Sequence, residues 1–257
     1  MPRLKVEFKN NTGHTLAGAL ELPDSGEPRA MAIFAHCFTC GKDVVAASRI
    51  ARELAEQGFG VLRFDFTGLG GSDGDFASTT FSTNVSDLDA AAQFLAREYS
   101  APRLMIGHSL GGAAALVASK RIDSIEAVVT IAAPSTPQHV QHLFTDQACD
   151  IRSQGQADVC IGERHFSIGA DLLEDLEDWP LERTLADLRK PLLIFHSPTD
   201  RVVPIGEAAR IYEAALHPKS FISLDDADHL LTKREDADYV ALLLSAWASR
   251  YLRLTGS

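Results

Sequence analysis

Leu104-Met105-Ile106-Gly107-His108-Ser109-Leu110-Gly111-Gly112-Ala113-Ala114-Ala115 is the stretch that decides the reading of this chain. It opens with an apolar run too short for a helix and continuously hydrophobic, as a strand buried on both faces is. It closes with small residues that lead into a helical stretch from Ala113 to Lys120. Between the two, Gly-x-Ser-x-Gly puts a serine on the turn from strand to helix, with a glycine on either side keeping side chains away from its hydroxyl. The helix start also aims free N–H groups and a positive dipole end at any anion beside Ser109. By chance the bare string arises roughly 0.1 times in a chain of this length and composition. The strand before it and the helix after it therefore carry the argument.

Outward from that turn, short apolar runs alternate with helical stripes, the pattern of a mostly parallel sheet covered by helices on both faces. Met31 to Ala35, Val61 to Phe66, Ile125 to Ala133, Pro191 to Phe195 and Ser220 to Leu224 read as further strands. Val44, Ala47, Ala51 and Leu54 share one helical stripe, ended by Gly58, and Val85, Leu88, Ala92, Leu95 and Tyr99 share another. Two more helices are expected from about Ile205 to Leu216 and from about Glu235 to Leu252. Leu4 to Phe8 and Thr15 to Leu22, split by Asn10-Asn11-Thr12-Gly13, read as an antiparallel hairpin, so that the sheet has eight strands. The rhythm stops between Pro134 and Trp179. There Val140, Leu143 and Phe144 suggest a short helix. Cys149 to Arg152, Asp158 to Ile161 and His165 to Ile168 suggest strands around turns at Gln154-Gly155 and Gly162-Glu163. The acidic tract Glu174 to Asp178 reads as a solvated helix face. Residues 1–257 thus read as one α/β domain with a small cap inserted at about 135–179.

With 46% apolar and 23% charged residues in 257, the composition is that of a soluble globular chain able to bury a full core. No run of about 18 consecutive apolar residues occurs, and the amino end lacks an apolar h-region, so neither a membrane span nor export is expected. A net charge of −11, from 24 Lys and Arg against 35 Asp and Glu, serves phosphate neutralisation poorly and excludes nucleic acid as a partner. Four cysteines are too few for a disulfide scaffold and point to a cytoplasmic chain with reduced thiols. Cys37-Phe38-Thr39-Cys40 has the spacing of a redox pair, but that reading wants a helix opening at the first cysteine, and here the helix starts near Asp43. Cys149 and Cys160 fall opposite each other if Gln154-Gly155 is a two-residue turn, although a reducing compartment disfavours their disulfide. That second pair lacks C-x-x-C spacing, so no metal site is expected. Gly68-Leu69-Gly70-Gly71 lacks the spacing of a phosphate-binding loop and reads as a turn braced by Asp65 and Ser72.

A serine hydroxyl is a weak nucleophile without a base, and the base needs an orienting carboxylate. Asp200, in His196-Ser197-Pro198-Thr199-Asp200-Arg201-Val202-Val203-Pro204, follows one late strand, and His229, in Asp225-Asp226-Ala227-Asp228-His229-Leu230-Leu231, follows the last. Both sit at carboxyl ends of strands, where open α/β sheets place their sites. Asp226 and Asp228 flank His229, but sequence neighbours rarely reach a ring's Nδ1 as a strand-end partner does. The chain order Ser109, Asp200, His229 is that of the α/β-hydrolases, and the chain resembles an α/β-hydrolase-fold serine esterase over essentially its whole length.

More narrowly, Arg63 to Gly74 together with Gly107 to Gly112 resembles two subgroups, the cinnamoyl and feruloyl esterases, which carry a small insertion cap, and the hydrolase domain fused to OsmC-type peroxide-reducing domains. In Phe34-Ala35-His36-Cys37-Phe38-Thr39-Cys40-Gly41-Lys42-Asp43 and in His196 to Asp200 the chain is closer to the second, OsmC-fused subgroup. The resemblance implies an oxyanion hole made by the N–H of Leu110, after the nucleophile, and of Phe38, in the loop after the first buried parallel strand. Cys37 stands where glycine is usual. His36 is expected to brace that loop, and His108 and His196 to pack or brace others.

The expected chemistry is hydrolysis of a small-molecule carboxylic ester through an acyl-enzyme, with Ser109, Asp200 and His229 catalytic and no metal or organic cofactor. Peptidase, thioesterase or lactonase chemistry is open to the same three residues. A thiol-dependent, antioxidant-associated protein using Cys37 and Cys40 is the alternative from another class. Phe38, Leu143, Phe144, Phe166, Val203 and Leu230, with Leu172, are expected to contact substrate. Acyl-chain length and oligomeric state, monomer or homodimer, stay open.

Overall fold

The computed structural model describes residues 2–24, 26–161 and 163–252. Its strands are β1 (Arg3–Lys9), β2 (Thr15–Glu21), β3 (Ala30–Ala35), β4 (Phe59–Phe64), β5 (Pro102–His108), β6 (Ala127–Ile131), β7 (Gln156–Ile161), β8 (Arg164–Gly169), β9 (Leu192–His196) and β10 (Lys219–Ser223). Eight of them form one sheet in the order β1-β2-β4-β3-β5-β6-β9-β10. β1, β2 and β4 run antiparallel in turn, and from β4 to β10 every pairing is parallel. In the hairpin turn the Asn10 side-chain carbonyl accepts the N–H groups of Thr12 (3.1 Å) and His14 (3.0 Å), and Gly13 takes φ +87°.

Continuously apolar strands are explained by the two-residue period of the pleat. Met31, Ile33 and Ala35 of β3 enter one core while Ala32 and Phe34 enter the other. Helices α1 (Val45–Glu56), α2 (Phe81–Glu98) and α3 (Leu110–Arg121) follow β3, β4 and β5. Ile50 and Leu54 of α1 share a core with Phe34, Leu104 and Phe195, whereas Val85 and Leu88 of α2 and Leu116 of α3 share the opposite one. Gly58, at φ +88°, lies just past the end of α1, where a left-handed residue is expected.

The inserted segment begins with a 3₁₀ stretch, Pro137–Gln147, kinked at Phe144 (φ −142°), and continues through α4 (Ala148–Gln154), the antiparallel ribbon β7–β8 and α5 (Ala170–Glu177). The chain returns to the sheet through α6 (Leu181–Asp187), and α7 (Gly206–Ala214) and α8 (Arg234–Tyr251) complete the covering layers. Two sequence expectations are corrected here. Cys149 to Arg152 is helical, because Ile151 is the one residue of α4 that turns into the core, an anchor that a four-residue alternation does not reveal. Gly155, at φ +84°, is the cap of that helix and not part of a hairpin turn, so exposed Cys149 and Cys160 are not joined. The expected turn at Gly162-Glu163 includes Gly162, which lies outside the described residues. In the acidic tract, Asp175 is more than a solvated charge: its carboxylate accepts the Ser82 N–H (2.7 Å) and hydroxyl in the first turn of α2.

Candidate active site

β5 ends at His108 and α3 begins at Leu110, leaving Ser109 alone in the turn with φ +54° and ψ −128°. A non-glycine residue held there costs about 1–3 kcal/mol and persists only where its surroundings fix it. They do: the Ser109 N–H donates to Ile131 O (2.9 Å), and the Ser109 carbonyl accepts Gly112 N–H (2.8 Å). The three glycines are required by close approach. A Cβ at Gly111 would overlap the carbonyls of Ala35 and His36, one at Gly107 the backbone of Gly111 and Gly112, and one at Gly112 the Ala133 methyl.

Loops after β9 and β10 bring Asp200 and His229 to the same place. His229 Nδ1–H donates to Asp200 Oδ2 (2.7 Å), and His229 Nε2 lies 3.0 Å from Ser109 Oγ, placed to accept the hydroxyl proton. Asp200 Oδ1 accepts the N–H groups of Val202 (2.8 Å) and Val203 (2.9 Å). Burial pushes the Asp200 carboxyl up, but the hydrogen bond and charge of His229 and those two N–H groups outweigh it, and the group is held below the usual carboxylate range. Asp228 is engaged elsewhere, accepting from Thr232 N (2.8 Å) and Oγ1 (2.6 Å).

Two further histidines fasten these loops. His108 Nε2–H donates to the His229 carbonyl (2.7 Å), and His196 Nε2–H donates to the Val203 carbonyl (2.8 Å). Burial, with His229 alongside, lowers His108 to about 3, so its ring is neutral at physiological pH.

The loop after β3 carries Phe38. Its N–H and that of Leu110 donate to no acceptor among the described residues, and both residues line the cavity next to Ser109. His36 Nδ1–H donates to Cys37 O (2.8 Å) and its Nε2 accepts Phe66 N–H (3.3 Å); burial lowers this ring to about 4. Cys37 and Cys40 form a disulfide, Cα to Cα 5.3 Å, which corrects the expectation of reduced thiols at these positions. Between them Thr39 takes φ +59°, unusual for a β-branched residue. Beyond the loop, Asp65 accepts Lys42 N–H (2.6 Å), Lys42 Nζ (2.5 Å) and Gly71 N–H (2.9 Å), while Ser72 Oγ donates to Asp65 O (2.5 Å). The glycine turn is thus tied to the same loop.

A cavity of about 360 Å³ opens over Ser109 and His229. Phe38, Leu143, Val203 and Leu230 line it, as the sequence suggests. Phe144, Phe166 and Leu172 do not: the kink at Phe144 turns its ring inward to 1% exposure, and Leu172 faces a separate small void beside Phe38, Phe76 and Leu110. Phe166 packs on Phe76 (ring centroids 5.2 Å apart), one layer behind the wall. Thr39, His139, His142, Ile161 and Arg164 also reach the cavity, from the loop after β3 and from the segment between β6 and β9, and no motif in the sequence announces them. Among the described residues no group of three or more His, Cys, Asp or Glu side chains could hold a metal ion, and no helix is long and apolar enough to cross a membrane.

The family profile described as "Serine aminopeptidase, S33" matches residues 26–151. The crystal structure of the esterase domain of a Rhodothermus marinus protein is 46% identical, with a TM-score of 0.81 covering 98% of this chain and 100% of that one. Mitochondrial palmitoyl-protein thioesterase ABHD10 of Mus musculus is 23% identical over 203 residues, 76% of this chain and 66% of that protein, so the match spans just under two thirds of this relative. Est1E of Butyrivibrio proteoclasticus, solved with ferulic acid bound, is 18% identical with a TM-score of 0.78 over 96% of this chain and 98% of that one, a likeness of fold. With its sheet order, its serine turn and these relatives together, the chain belongs to the α/β-hydrolases.

Proposed function

We propose that this hydrolase cleaves small carboxylic esters through an acyl-enzyme, with Ser109 as nucleophile, His229 as base and acid, and Asp200 as the group that orients His229. The observation that carries the reading is the hydrogen-bonded series Ser109 Oγ, His229 and Asp200, at 3.0 and 2.7 Å, beside a largely apolar cavity. His229 Nε2 takes the Ser109 proton as Oγ attacks the acyl carbon, and Asp200 stabilises the imidazolium that forms. The Phe38 and Leu110 N–H groups receive the developing oxyanion. His229 then protonates the leaving alcohol, and in the second half it activates the water that releases the acid. The scheme uses no cofactor.

An esterase domain 46% identical supports oxygen esters over other leaving groups, while a thioesterase among the more distant relatives keeps sulfur esters as the nearest alternative. Peptide and lactone cleavage use the same three residues. The thiol-dependent reading is less well served, since Cys37 and Cys40 are joined and offer no thiolate in this state.

The test is a panel of p-nitrophenyl esters of graded chain length, with a hydroxycinnamate ester added, on wild type and Ser109→Ala. The substitution is expected to lower kcat by on the order of 10⁴ or more with the fold intact. A fluorophosphonate probe should label wild type at Ser109 only. Turnover retained by Ser109→Ala sinks the proposal.

A further inference from the structure

We infer that Arg164 is a positioning residue for the oxyanion loop, so that the inserted ribbon as well as the sheet holds the Phe38 N–H at the reacting oxygen. This rests on the reading of Ser109 as nucleophile and Phe38 as oxyanion donor. Arg164 opens β8, opposite Ile161 of β7. Its Nη1–H donates to Thr39 O at 2.9 Å, joining the insertion to a loop 125 residues away in sequence. The guanidinium sits 4.9 Å from the centroid of the Phe166 ring, a contact that fixes its plane.

What the bond holds follows from the peptide units of the loop. The Phe38 N–H shares its peptide plane with Cys37 O, and Cys37 O is gripped from the core by His36 Nδ1–H (2.8 Å) and by Cys40 N–H (3.1 Å). On the far side of Phe38, Thr39 Oγ1 donates to Phe38 O (2.7 Å), and Thr39 itself sits at φ +59°, a conformation a β-branched residue does not keep unaided. The Cys37–Cys40 disulfide brackets both residues, so the segment moves as a unit. Arg164 grips that unit at Thr39 O, from the insertion side. Removing it leaves the loop held only from the core, and the Phe38 N–H loses the alignment that makes a preorganised donor effective.

The experiment compares wild type, Arg164→Ala and Arg164→Lys on an uncharged p-nitrophenyl butyrate and on an anionic mono-p-nitrophenyl ester of a dicarboxylic acid, with a boronic acid that forms a tetrahedral adduct on Ser109 as the inhibitor. Arg164 is solvent-exposed, so both variants should fold, which thermal unfolding checks. Arg164→Ala is expected to lower kcat about 10- to 100-fold with KM within about twofold, to raise the boronate Ki by a similar factor, and to recover with added guanidinium ion. Arg164→Lys, which keeps a donor, should lose less. A kcat equal to wild type, or a loss confined to KM, overturns the inference; a loss seen only with an anionic ester does so too, by making Arg164 a substrate anchor. Should wild type show no Ser109-dependent turnover, the proposed function falls with it, whereas an active wild type matched by Arg164→Ala removes the positioning role alone.

Discussion

Asp200 meets His229 with one oxygen and two backbone N–H groups with the other, so its carboxylate is fixed in orientation as well as charge. Asp200→Asn keeps the shape but offers His229 Nδ1 an N–H or a weaker acceptor, and so loses control of the tautomer. Its kcat should fall by on the order of 10³ to 10⁴ with unchanged thermal stability, read by ester turnover alongside a melting curve. A variant within tenfold of wild type would show that Asp200 is not the orienting acid. Single residues of this kind are legible in sequence because strand ends announce them: Asp200 lies in the loop that follows β9 and His229 in the loop that follows β10. Arg164 is not legible, because its partner Thr39 lies far off in the chain and nothing in either segment signals the other. The Cys37–Cys40 bond is intermediate. The spacing is visible, but its meaning depends on a loop geometry that replaces the helix a redox pair requires.

Among elements, the turn from β5 to α3 leaves the least freedom. A methyl at Gly111 would meet the carbonyls of Ala35 and His36, which begin the loop that carries Phe38. Gly111→Ala should therefore lower stability by about 2–3 kcal/mol and lower kcat as well, because relief of the overlap pushes the loop that carries Phe38 away from Ser109. Urea unfolding and ester kinetics on one preparation would check both; loss of stability alone would separate the two elements. The strands and long helices of the sheet are readable from period, since each must bury one stripe or two faces. The insertion is not, because its elements are short and face both solvent and core. Cys149 to Arg152 accordingly looks like a strand in sequence although it lies in α4, and Phe144 and Phe166 look like pocket walls although a kink and a second aromatic layer take them elsewhere.

For the molecule as a whole, two buried rings link folding to pH. His36 and His108 are lowered to about 4 and about 3 by burial, while in the unfolded chain a histidine titrates near 6.5. Above pH 6.5 both are neutral in either state and their contribution is fully present. As pH falls toward 4, the unfolded chain binds protons that the folded one refuses, and stability is lost at about 1.4 kcal/mol per pH unit for each ring. Denaturant unfolding at pH 7 and pH 5 should thus differ by about 2 kcal/mol per histidine, and His108→Gln, which can still donate to the His229 carbonyl, should remove its share. The same drop in that variant as in wild type would refute the linkage.

The glycine-walled turn at Ser109 has a consequence for how such a chain can change. Positions 107, 111 and 112 admit no side chain, Ser109 must stay in its unusual conformation, and the histidine clamps behind it are buried. The cavity's outer wall, from His139 to Leu143 and around Ile161, belongs to a segment that no strand of the main sheet pairs with. That wall can therefore vary by trial while the Ser109, His229 and Asp200 series stays fixed, a partition between evolvable and frozen sequence that one strained serine imposes.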